Sequence, residues 1–133
     1  MTTATLPPIL PAVIELVRQA GAWLAAEFSR PDGPRFSNTD TSPIDHEIEL
    51  FLRGHLTALL PARFVGEEAG VLAAEANGYC WVVDPHDGTR AFLEGRRGSA
   101  ISVGLVIVSS SVPRRTFSPA MWKICTSRCT FAR

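Results

Sequence analysis

The run WVVDPHDGTRAF, residues 81–92, constrains the chain more than any other stretch. Its opening is β-branched and aromatic, the composition of a strand. It then passes without a spacer into Asp84, Pro85, His86, Asp87, Gly88 and Thr89, so the strand must turn there. Pro85 cannot donate to a ladder and Gly88 accepts left-handed backbone, which together suit a tight corner. Two aspartates at such a corner either cap backbone N–H groups or hold a cation, and the turn alone leaves both readings open. A second acidic pair, Glu67 and Glu68 in RFVGEE, closes another predicted strand. Carboxylates gathered from strand ends with few bases around them repel one another unless a cation neutralises them. Hard oxygen donors suit Mg²⁺, which keeps several waters and usually engages a substrate phosphate, so the cluster points to metal-assisted phosphate chemistry.

Upstream the periodicity is helical. Val13, Val17, Ala20, Leu24 and Phe28 form one stripe, and Ile44, Ile48, Phe51, Leu52, Leu56 and Leu59 form another. The first helix is expected to begin near Pro8 or Pro11 and to stop by SRPDGP. The second carries its own start signal: Ser42 as cap, Pro43 in the first turn, then Asp45 and Glu47 at the positive end of the helix dipole, with Pro61 closing it. RFVGEE, YCWVVD and SAISVGLVIV then read as strands. The order helix, helix, strands predicts an α+β fold, with layered helices on an antiparallel sheet.

Composition narrows the partners. The 133 residues fit one domain, and 13 basic against 13 acidic side chains leave no footprint for a nucleic acid polymer or an anionic membrane. No apolar run reaches the roughly 20 residues of a membrane span. The start MTTATLPPILP lacks the basic segment of a secretory signal, so the expected location is cytoplasmic. Cys80, Cys125 and Cys129 suggest neither a disulfide framework nor a zinc site. His46 and His55 lie nine positions apart, not the four of a helical metal pair. Arg90, Arg96 and Arg97 read as a solvated loop, with a second substrate phosphate or carboxylate as the functional alternative. Trp23 and Phe28 read as core or interface.

GEE, then WVVDPHDGTRAF, then SAISVGLVI resemble the signature of the inositol monophosphatase family, Mg²⁺-dependent and lithium-sensitive phosphomonoesterases, over roughly residues 8–108. The resemblance implies the N-terminal half of that fold, with residues 1–108 carrying the metal motif. It implies Glu67, Asp84 and Asp87 as metal ligands, with Glu67 also orienting the attacking water. His86 would contribute its main-chain carbonyl without need of its imidazole. Thr89 would position the water, and Gly88 with Thr89 would offer backbone N–H groups to the phosphate. Asp45 resembles an acidic residue near an outer metal position, and Glu68 a second carboxylate behind the first. The implied partner is a small phosphomonoester: inositol monophosphate, a 3′-phosphonucleotide, fructose bisphosphate or histidinol phosphate.

The chain departs from the pattern in three places. A few residues, a threonine among them, are missing ahead of Asp45. The family's later aspartate, in a W-D-x-A type motif, has no counterpart, since Trp122 is followed by Lys123. Residues 109–133 lose the family's pattern and are expected to be a poorly ordered tail. WKICTSR, back-translated with common codons and read from the third base, spells Glu-Asp-Leu-Tyr-Val-Ala, which restores the pattern and suggests a shifted reading frame. A half-fold would leave strand edges and apolar faces open, so self-association or a homo-oligomer is expected. The rival functional readings are a metal- or phosphate-binding module without turnover and a degenerate remnant of a phosphatase.

Overall fold

The computed structural model describes residues 8–38, 40–67, 70–72, 78–107 and 122–128. Helix α1 spans Leu10–Phe28 with Pro11 in its first turn, and α2 spans Pro43–Leu59 with Ser42 as N-cap in extended backbone. Five strands follow: β1 (Arg63–Gly66), β2 (Gly70–Leu72), β3 (Tyr79–Asp87), β4 (Ala100–Ile107) and β5 (Trp122–Arg128), with the short helix α3 (Thr89–Leu93) between β3 and β4.

The strands form one sheet in the order β2-β1-β3-β4-β5. Three of its pairings are antiparallel, of which the sequence anticipates β3 with β4, while β2 and β5 are additional strands and β1 runs parallel to β3. The parallel pair brings the carboxyl ends of two strands to the same edge, with Gly66 opposite Val83, and the chain continues from there into Glu67 and Asp84.

Both helices lie on one face of the sheet, α2 over β1 and β3, α1 over β4 and β5. The predicted stripes supply the core. Val13, Val17, Ala20 and Leu24 from α1 and Ile44, Ile48, Leu52 and Leu56 from α2 meet Phe64, Trp81, Val83, Ile101 and Val103. Trp81 is fully buried, and its indole N–H donates to the Leu60 carbonyl at 3.0 Å, tying the central strand to the end of α2. Phe28 packs on Phe92, and Trp23, 41% exposed, leans on Phe51 along the outer seam of the helices.

A clamp that the linear sequence does not announce fixes the loop between the helices. Arg35 donates to Glu27 at 2.5 Å and, through both terminal nitrogens, to Glu47 at 3.2 Å. Its own carbonyl accepts from the Ser42 hydroxyl at 2.6 Å. Glu27 is buried, so Arg35 and Arg30, the latter 3.2 Å away, compensate a charge removed from water.

The tail departs from expectation within residues 122–128, which form β5 on β4. Without a neighbour, β4 would present a row of unpaired backbone groups on that side, and residues 122–128 pair with it. Residues 108–121 and 129–133 of that tail lie outside the described residues. Among the described residues, no helix is long and apolar enough to cross a membrane.

Candidate active site

The site grows out of a bulge. From Asp84 to Asp87 the chain advances three residues on β3, while the facing partners, Ser102 and Ala100, are two apart. One extra residue is therefore accommodated between them, and Pro85 and His86 are buried in succession. Facing residues of an antiparallel pair share a side of the sheet, and Ser102 and Ala100 lie on the same side. The bulge thus brings Asp84 and Asp87 onto one side, where a regular strand would set them on opposite ones. Asp84 remains partly accessible and Asp87 exposed. Asp84 Oδ1 accepts the His86 N–H at 3.1 Å, so the first aspartate also closes the turn.

Gly88 follows at φ +91°, backbone that a side chain rarely adopts. A Cβ there would also sit 3.0 Å from the Gly98 carbonyl oxygen. The turn is therefore packed against the segment that leads into β4, and Thr89 is delivered at the start of α3.

Asp45 comes from the first turn of α2 and is only 3% exposed. Its Oδ2 accepts the Ser42 N–H at 3.3 Å and stands 3.1 Å from the Thr89 hydroxyl, and its Oδ1 lies 2.7 Å from His86 Nδ1. His86 Nε2 in turn lies 2.8 Å from the Ser99 hydroxyl, and the ring stands perpendicular to that of Phe92 with centroids 4.6 Å apart. The sequence assigned His86 only a main-chain part; the structure buries its imidazole in a polar network. That carbonyl is nevertheless within 3.1 Å of the Thr89 hydroxyl.

Glu67 is exposed just beyond β1, one residue past the Gly66–Val83 pair as Asp84 is on β3. A buried carboxylate supports that strand end. Glu49 from α2 is 2% exposed, and a Cβ on Gly66 would lie 2.2 Å from its Oε1. Glu68 lies outside the described residues. Among the described residues, no three His, Cys, Asp or Glu side chains stand close enough together to hold a metal ion. In kind, though, the accessible oxygens of Glu67, Asp84 and Asp87 fit a hard divalent cation.

Arg90 and Arg96 both pair with Glu94, and the guanidinium of Arg96 above all holds that exposed carboxyl below its ordinary range. These two arginines thus share one carboxylate in a solvated loop.

The chain thus has a layered α+β fold in which an acidic, threonine-bearing turn closes the carboxyl end of a central strand. The chain belongs to the inositol monophosphatase family, whose family model matches residues 6–113. An inositol-1-monophosphatase of Rhizobium meliloti is 31% identical over 124 residues, covering 90% of this chain and 47% of that protein. A histidinol-phosphatase of Chlorobaculum parvum is 32% identical over 91 residues, covering 66% of this chain and 35% of that one. The solved structure of an inositol monophosphatase from Anabaena superposes with a TM-score of 0.60 at 25% identity, covering 74% of this chain and 35% of its own. The chain spans under half the length of these relatives.

Proposed function

We propose that the chain hydrolyses a small phosphomonoester, inositol monophosphate-like, with Mg²⁺ held by Glu67, Asp84, Asp87 and the His86 main-chain carbonyl. One observation carries the reading: Thr89, at the end of the acidic turn, has its hydroxyl 3.1 Å from a buried carboxylate, Asp45, that comes from a different element. A hydroxyl has one proton and two lone pairs. When Thr89 gives its proton to Asp45, its lone pairs are left to accept from a water, which orients that water for attack on phosphorus. The same choice releases the His86 carbonyl from Thr89, the two standing 3.1 Å apart. The main-chain N–H groups of Gly88 and Thr89 are the phosphate donors in this reading. Bound Mg²⁺ supplies a more acidic water and neutralises charge on the phosphate.

Relatives named for two substrates, inositol monophosphate and histidinol phosphate, match the chain comparably, so the test uses a panel. Phosphate release from inositol monophosphate, histidinol phosphate, a 3′-phosphonucleotide and fructose bisphosphate is measured with and without Mg²⁺. Release that requires Mg²⁺ and disappears in Asp84→Asn is expected. A folded chain that binds Mg²⁺ or phosphate but releases none is a binding module, and the proposal fails.

A further inference from the structure

We propose that His86 and Ser99 are positioning residues: through Asp45 they set the direction in which the Thr89 hydroxyl points. The inference rests on the phosphomonoesterase reading above and assigns the imidazole a part that the turn motif does not require.

The proton assignments come from chemistry. A carboxylate only accepts, so across the 2.7 Å contact His86 Nδ1 must carry the proton given to Asp45 Oδ1. Where the ring is neutral, Nε2 is then an acceptor to which the Ser99 hydroxyl, 2.8 Å away, donates. In that state the bonds run one way, from Ser99 through His86 to Asp45. Oδ1 is thereby filled, which leaves Oδ2 to the Ser42 N–H and to Thr89. Thr89 has two acceptors at equal distance, Asp45 Oδ2 and the His86 carbonyl, both at 3.1 Å. Donation to Asp45 leaves both lone pairs of that carbonyl to a cation, whereas donation to the carbonyl takes one of them, so what holds Asp45 in place biases the outcome.

The arrangement is built in. The His86 side chain is wholly buried and that of Asp45 is 5% exposed. Phe92 fixes the ring from the side. Ser99 is 3% exposed and belongs to the segment against which Gly88 packs, so one contact locates both the serine and the turn. The bulge at Pro85–His86 is what sends the imidazole inward.

Two substitutions separate this role from simple packing. His86→Asn keeps a donor near the Nδ1 position, and His86→Gln reaches only toward the Nε2 position. The expected result is a fall in kcat of roughly 10–100-fold in His86→Gln at unchanged KM, with most of it recovered in His86→Asn. Equal losses in both, or a loss carried by KM, would overturn the proposal. A second measurement needs no turnover. Long-range ¹H–¹⁵N spectra of the metal-free chain should show His86 protonated at Nδ1, and a slowly exchanging Thr89 hydroxyl proton that is retained in His86→Asn and lost in His86→Gln. A ring protonated at Nε2 alone, or a hydroxyl proton indifferent to both variants, sinks the idea. If the wild type releases no phosphate from any ester, the functional reading has failed, and the spectra alone decide whether His86 directs Thr89.

Discussion

Gly88 is constrained twice, by its left-handed backbone and by the Gly98 carbonyl oxygen 3.0 Å from where a Cβ would stand. Gly88→Ala should therefore cost about 1–3 kcal/mol, read as a lower urea midpoint at unchanged slope. That glycine is legible in the sequence because the turn chemistry is local. His86 is not: its acceptor on Asp45 lies 41 residues away, and nothing in the linear order announces their contact. Glu49 against Gly66 is hidden for the same reason. Cys80 gives a pH-dependent prediction. Burial pushes its thiol above the ordinary range, with Arg63 opposing weakly. A raised value means less thiolate at any given pH, so alkylation of Cys80 in the folded chain should rise only at more alkaline pH than in the urea-unfolded chain. Mass spectrometry of the Cys80 peptide checks this, and coincident profiles would contradict it.

Among the elements, the two helices are the most legible, because their apolar spacing, the Ser42–Pro43 start and the closing Pro61 are all short-range signals. β1, β3 and β4 are legible as apolar runs, but β2, β5 and the order of the five are not. That β1 runs parallel to β3, bringing the strand ends before Glu67 and Asp84 to one edge, depends on pairing across the intervening β2. The bulge is similarly silent, since one surplus residue shows only against the register of β4. The Arg35 clamp is a long-range element contact as well. Arg35→Ala leaves buried Glu27 with Arg30 alone, while the exposed half toward Glu47 is screened by solvent. A loss of about 2 kcal/mol in chemical denaturation is expected, only slightly reduced by added salt. A loss that vanishes at high salt would show that the buried half contributes little.

At the scale of the whole molecule, one side of the sheet is covered by both helices, while Val65, Val82 and Val106 on the other side stay half-exposed. Apolar surface of that kind favours association. Light scattering should give a particle mass above the 14.4 kDa of one chain, falling toward it in Val82→Glu. A monodisperse 14.4 kDa species in the wild type would refute this. Asp45 adds a consequence that reaches beyond its own neighbourhood. It closes the first turn of α2 and also holds Thr89. Enzymes commonly gain robustness when a reactive side chain is exchanged for an inert one, and laboratory evolution exploits that trade. Here the trade is closed off at this position, because replacing Asp45 removes the acceptor of both the Ser42 N–H at the helix start and the Thr89 hydroxyl. A selection for heat resistance alone should therefore retain Asp45, and would preserve part of the proposed site without ever testing for a reaction.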